Sequence, residues 1–306
     1  MTEVRRDILQ SIGNTSLLAL REVVPRNGSR ILLKLESENP TGSMKDRMAL
    51  AMIEAAERDG RLMANGSVVE YTGGSTGVSL SLVCAVKGHP LHIVTSDAFA
   101  PEKLEHMRKL GATLQIVRSE SGRMTEKLTR DMVEVASKVA TETASFWTDQ
   151  LNNRDQLVAY HTMANEIWNQ TDGQIDGFVQ SVGTAASLLG IGRNLRRHDE
   201  QIRITAVEPS ESPVLSGGTT GAHKIDGIGA GFVVPLWEDG IADQIEQVST
   251  EEALQMADRL AREEGIFAGT STGCNVIAAL RLAEQLGAGT TVVTVMCDTG
   301  MKYLSK

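Results

Sequence analysis

A parallel α/β fold in two lobes is predicted for this chain, and three observations predict it. Short β-rich runs alternate with segments of helical spacing along most of its 306 residues. Turns rich in glycine and hydroxyls repeatedly join the end of a run to the start of a helix. The length also exceeds what a single hydrophobic core usually holds. Alternation of this kind calls for parallel sheet with helices on both faces.

The elements follow in order. Ile31–Leu35, Ser67–Tyr71, Leu91–Thr95 and Thr113–Val117 read as strands. After Lys45, the residues Met48, Ala49, Met52, Ile53 and Ala56 form an apolar helical stripe that Asp59-Gly60 closes. Pro101–Leu110 opens on proline and stops at Gly111, the usual helical asymmetry. A strand at Gly177–Gln180, a helix from Ala185 and a strand at Arg203–Val207 come next. Helices at Thr250–Glu264 and Cys274–Leu286 and a strand at Thr290–Met296 complete the series. Between Pro209 and Trp237 no period is visible, and a stretch of that length is expected to be a functional loop.

Composition narrows the function. The chain is 41% hydrophobic and 23% charged, as ordinary globular proteins are. A net charge of −9 disfavours nucleic acid or an anionic membrane as partner. Cys84, Cys274 and Cys297 lie far apart, so neither a disulfide framework nor a metal site is expected, and a reducing cytoplasm fits. The opening Met1–Asp7 lacks the apolar run of a signal peptide, and no apolar stretch is long enough to span a bilayer.

Four segments carry chemistry. Asn39-Pro-Thr-Gly-Ser-Met-Lys-Asp-Arg47 makes a turn from Pro40 and Gly42 into a helix that Ser43 could cap. Lys45 falls in the first helical turn, where the helix dipole disfavours an ammonium and favours a neutral amine. A lone surface lysine is the plain alternative. Thr72-Gly-Gly-Ser-Thr-Gly77 joins a strand to a helix, as an anion-binding loop does, although a tight turn reads equally well. It meets neither the Walker A nor the dinucleotide pattern, which sets aside a nicotinamide dehydrogenase. Ser181-Val-Gly-Thr-Ala-Ala-Ser187 and Ala268-Gly-Thr-Ser-Thr-Gly273 again precede helices, with Ser or Thr capping as the plain alternative.

The order and spacing of the set resemble the cysteine synthase / cystathionine β-synthase family of pyridoxal-phosphate (PLP) enzymes, of fold type II. Ser11-Ile-Gly-Asn-Thr15 resembles that family's opening, and the segment around Lys45 resembles its lysine motif almost letter for letter. Glu208–Ser216, His223–Phe232, Gly265–Gly273 and the terminal Tyr303-Leu-Ser are similar too. The resemblance implies that Lys45 is the catalytic lysine, holding PLP as a Schiff base. It implies a phosphate cradle of Gly183, Thr184, Ala185, Ala186 and Ser187, with Ser271 on the pyridine nitrogen and Ser75 as a further cofactor contact. Thr72, Gly73, Gly74, Thr76, Gln150 and Gly227 are implied as substrate contacts. By the same resemblance, a smaller domain over residues 36–146 adjoins a larger PLP-binding one made of 1–35 and 147–306. A homodimer is implied, and serine acetyltransferase is one conceivable partner.

Two loops depart from the family pattern. The substrate loop commonly reads T-S-G-N-T-G; here Gly73 removes a hydroxyl and Ser75 replaces an asparagine. In the phosphate loop Ala185 and Ala186 replace two glycines. The leading expectation is β-replacement on an activated serine such as O-acetylserine, with sulfide or another nucleophile, through an aminoacrylate. A β-eliminating lyase on cysteine or serine is the alternative. A non-catalytic paralogue that binds PLP or an amino acid is an alternative of another class.

Overall fold

The protein is described by a computed structural model for residues 4–24, 28–120, 122 and 125–304. Met1–Glu3 of the opening and Ser305 of the terminal motif lie outside the described residues. In chain order the elements are β1 (Leu17–Ala19), β2 (Arg30–Leu35), α1 (Lys45–Asp59), β3 (Val68–Tyr71), α2 (Ser75–Lys87) and β4 (Leu91–Ser96). There follow α3 (Pro101–Lys109), β5 (Thr113–Val117), α4 (Glu126–Glu142), β6 (Phe146–Trp147), α5 (Gln156–Gln170) and β7 (Gly177–Ser181). The chain continues through α6 (Ala186–His198), β8 (Arg203–Pro209), β9 (Gln244–Val248), α7 (Thr250–Glu263), α8 (Thr270–Leu286) and β10 (Thr291–Met296).

The chain folds as two compact units. One is Met1–Gly13, Asn39–Gln156 and Lys302–Lys306; the other is Asn14–Glu38 and Leu157–Met301.

The first unit is built on a four-stranded sheet ordered β5-β4-β3-β6, parallel throughout. Its central strands are apolar on both faces, as parallel strands under helices must be: Val68, Val69, Ile93 and Val94 are fully buried. Helix α4 packs on β3 and β4, and α1 packs beside α2. Helix α1 begins at Lys45 itself and ends where Gly60 takes the left-handed conformation, φ +82°.

The second unit has a six-stranded sheet ordered β1-β2-β10-β7-β8-β9, in which only the edge pair β1–β2 is antiparallel. Its core joins Ile31, Leu33, Val179, Val207 and Val292 of the sheet to Cys274, Ala278 and Leu282 of α8 and Met256 and Leu260 of α7. Between β8 and β9 the chain runs without helix or strand, as the missing period foretold. Glu208 holds this stretch to the sheet by accepting from the Leu215 and Ser216 amides and from Ser216 Oγ.

Parallel strands and alternating helices agree with the expected fold class. Helix α8 starts at Thr270, four residues before the expected Cys274. The hydroxyl-rich Thr270-Ser-Thr segment, read as a turn, is the helix's own first turn. Ser43 is not the N-cap of α1; Met44 is, and the Ser43 hydroxyl accepts from the Lys45 amide at 3.2 Å.

Candidate active site

Unit one brings together the lysine turn and the hydroxyl loop. Gly42 takes a left-handed φ of +72°, which lets the chain turn sharply into α1. The turn is then tied down by Asp46, whose side chain is fully buried. Its carboxylate accepts from the Thr41 amide (2.7 Å), Thr41 Oγ1 (2.5 Å) and Ser79 Oγ of α2 (2.6 Å). Burial pushes the Asp46 carboxyl above its usual range, against those three hydrogen bonds and the field of Lys302. Lys45, partly exposed at the head of α1, is therefore fixed at both the turn and the neighbouring helix.

The hydroxyl loop leaves β3 at Tyr71 and enters α2 at Ser75. Thr72 Oγ1 accepts from the Gly74 amide at 3.2 Å. Thr76 Oγ1 donates to Gln150 Oε1 at 2.9 Å, and Gln150 Nε2 donates to the Tyr71 carbonyl at 3.0 Å. Gln150 is held from beneath by Glu70, a fully buried carboxyl that accepts from the Gln150 and Tyr71 amides and from Thr148 Oγ1. Burial raises Glu70 to about 8. Six of the expected residues, Thr72, Gly73, Gly74, Ser75, Thr76 and Gln150, thus form one loop assembly.

Unit two gathers the others. Helix α6 begins after Ala185, which has φ +68°, a left-handed conformation that costs a non-glycine residue about 1–2 kcal/mol. A Cβ placed on Gly183 would stand 2.5 Å from the Gly227 carbonyl oxygen, so the two loops touch backbone to backbone. The Asp226 amide donates to Thr270 Oγ1 at 3.2 Å, which ties the second loop to the head of α8, where Ser271 is buried. Gly227, expected among substrate contacts, stands against the 183–187 loop.

The capping alternatives are decided here. Helices α4 and α7 are capped by Thr125 and Ser249, α7 with a full capping box. At α2, α6 and α8 the N-caps are Gly74, Ala185 and Gly269, and no side chain caps any of them. Their hydroxyls do not cap these helix heads, which is the arrangement an anion-binding helix start has.

Three residues escaped sequence reading. Phe99 has its ring against Gly73, Lys302 donates to Ser75 Oγ at 3.2 Å, and Glu70 supports Gln150. Only Lys302 had a signal, its place beside the terminal Tyr303-Leu motif. Among the described residues no helix is long and apolar enough to cross a membrane, and no cluster of His, Cys, Asp and Glu is arranged to hold a metal.

These features describe an α/β protein with a lysine at the head of α1 and no side-chain cap on α2, α6 or α8, and comparison with known proteins gives its family. Residues 8–298 match the model of the pyridoxal-phosphate dependent enzymes, and the chain belongs to that family. Cysteine synthase of Staphylococcus aureus is 38% identical over 301 residues, covering 98% of this chain and 95% of the relative. The crystal structure of a cysteine synthase from Entamoeba histolytica superposes with a TM-score of 0.94 at 35% identity, over 99% of this chain and 90% of that one. A hydrogen sulfide-producing enzyme from Fusobacterium nucleatum gives a TM-score of 0.91 at 32% identity, over 99% of both chains.

The family's cofactor is PLP, and the residues of unit two fit its phosphate. The α6 head has no side-chain cap, and Ser181 Oγ just before the loop is buried without a partner among the described residues. Ala185 and Ala186, which stand where the family pattern has glycines, are both buried at this head.

Proposed function

We propose that this chain joins an activated serine of the O-acetylserine kind to sulfide or another nucleophile, a cofactor-dependent β-replacement. The observation that carries the reading is the tie, through Asp46 and Ser79, between the Lys45 turn and the helix headed by the Thr72–Gly77 loop. The likeness to cysteine synthases supports it. Lys45 holds the cofactor through its ε-amine and later carries the substrate α-proton. Gly183, Thr184, Ala185, Ala186 and Ser187 hold the cofactor phosphate at the head of α6. Ser271 offers the pyridine nitrogen a hydroxyl in place of a carboxylate, which suits β-elimination better than long-lived carbanion chemistry. When bound, the cofactor would supply an electron sink for the charge that develops at the substrate α-carbon. Thr72, Gly73, Gly74, Thr76 and Gln150 orient the substrate α-carboxylate through side chains and loop amides, and Gly227 is a further substrate contact.

A second reading, elimination without replacement, draws on the likeness to the hydrogen sulfide-producing enzyme of F. nucleatum. Product analysis separates the two. Cysteine formed from O-acetylserine and sulfide supports replacement; pyruvate released at a similar rate without any nucleophile overturns it in favour of the lyase. Loss of the cofactor's visible band in Lys45→Ala tests the lysine, and an unchanged band refutes its role. We further propose that a smaller domain over residues 36–146 and a larger one of 1–35 and 147–306 are the functional domains, that the enzyme works in the cytoplasm on a small amino-acid substrate, and that it does so as a homodimer. Serine acetyltransferase remains a candidate partner, to be tested by co-sedimentation.

A further inference from the structure

The substrate loop lacks two side chains of the family pattern, and each gap has a neighbour within the same unit. A Cβ placed on Gly73 would stand 1.7 Å from Phe99 Cδ2 and 1.9 Å from Cγ. The ring of Phe99, from the connection between β4 and α3, thus fills the space that a hydroxyl-bearing residue 73 would need. A Cβ on Gly74, by contrast, meets nothing within 4 Å, so the loop is closed on one side and open on the other. At Ser75 the neighbour is Lys302, from the short 3-10 turn Gly300–Tyr303. Its Nζ donates to Ser75 Oγ at 3.2 Å, and the residue is only 9% exposed. Ser75 is the first residue of α2, whose head no side chain caps. A buried ammonium therefore stands beside a helix head whose amides carry the same electrostatic sign, with Asp46 as the opposite charge in its field. Its field is felt nearby: it opposes the rise that burial gives the Asp46 carboxyl and, after burial, disfavours the His106 imidazolium.

We propose that Lys302 is a substrate-positioning residue, whose charge, held at the head of α2 through Ser75, complements the substrate α-carboxylate in a loop stripped of the hydroxyl at 73 and the amide at 75. The proposal rests on reading Thr72–Gly77 as the carboxylate loop, and it changes the balance of recognition there from side-chain hydrogen bonds to charge and backbone. Lys302 could instead serve only as counter-charge to Asp46, which would make it structural.

The test uses the PLP-loaded protein and calorimetric titration with L-alanine, which has the carboxylate and no leaving group, and with L-alanine methyl ester, which lacks the charge. Lys302→Met is expected to weaken L-alanine roughly 10- to 100-fold, the worth of a charge-assisted contact. The methyl ester is expected to change less than about 2-fold, and Lys302→Arg to keep most of the affinity. Equal weakening of both ligands, or no weakening of L-alanine, overturns the proposal. Lys302→Gln keeps a donor for Ser75 without the charge and must show the same contrast as the methionine variant. If neither variant folds and retains cofactor, the structural role is the correct one. Because the readout is binding, a wild-type protein that fails to make cysteine yet shows the contrast sinks the replacement reading and leaves Lys302 in place.

Discussion

Gly73→Ser restores the family residue, and the structure says that this chain cannot accept it alone. The new Cβ would lie 1.7 Å from the Phe99 ring. Ordinary contact begins near ~3.5 Å, so the ring or the loop must yield by about 1.8 Å. Overpacking of this degree costs about 1–3 kcal/mol. The upper end is tempered because Phe99 is partly exposed and can swing toward solvent. Phe99→Ala alone gives up the packing of a partly buried ring, about 1–2 kcal/mol. In the double variant the serine enters space the ring has left, so its cost should largely vanish, leaving a coupling of at least about 1 kcal/mol. The assay is urea unfolding of the four PLP-loaded proteins, followed by tryptophan fluorescence and by the cofactor band. Additive costs, to within about 0.5 kcal/mol, would refute the claim that Phe99 occupies the place of a residue-73 side chain.

Two further outcomes follow from the same geometry. Gly183→Ala sets a methyl 2.5 Å from the Gly227 carbonyl, a backbone atom that has no rotamer to escape into. The variant should lose about 1–3 kcal/mol and release PLP on dilution or gel filtration; a variant as stable and as yellow as wild type would show that the two loops do not meet there. Glu70 has its carboxyl raised from 4.5 to about 8 by burial, so the folded state holds a proton that the unfolded chain gives up. Its contribution to stability is fully present below pH 4.5 and is lost as pH rises toward about 8, at up to about 1.4 kcal/mol per pH unit. Glu70→Gln should flatten that slope in chemical unfolding measured from pH 5 to 8.5; an unchanged slope would assign it to other groups.

How much of this was legible in the sequence depends on the range over which each feature is encoded. The Lys45 turn, the strand–loop–helix joins and the parallel fold are local patterns, and they stand where the sequence puts them. Helix α4 also carries a local signal: Thr125 caps it, and Leu128, Met132, Ala136 and Ala140 recur every four residues on its buried side. Strands β1 and β6 span three and two residues and owe their existence to partners, not to a pattern of their own. The meeting of Phe99 with Gly73 joins positions with no common periodicity, and that of Lys302 with Ser75 spans 227 residues. Nothing short of the fold reveals them. Glu70 read as one polar residue in a strand; only its full burial and three donors mark it as the support of Gln150.

The uncapped helix heads lead to the sharpest separation of stability from function. Gly74 sits at the N-cap of α2 with an extended backbone, φ −110°, and its missing side chain would point into open space. Nothing steric forbids an aspartate there. An N-cap aspartate accepts from a first-turn amide and complements the helix dipole, gains that together amount to about 0.5–1 kcal/mol over glycine. The protein forgoes that stability, which is what a site reserved for an external carboxylate requires. Gly74→Asp should therefore raise the thermal midpoint while abolishing L-alanine binding, because the new carboxylate occupies the amides and repels a second one. Retention of the cofactor band would show that unit two's phosphate cradle is untouched. If the variant is less stable, or if it binds L-alanine as wild type does, the head of α2 is an ordinary helix start and the substrate carboxylate lies elsewhere.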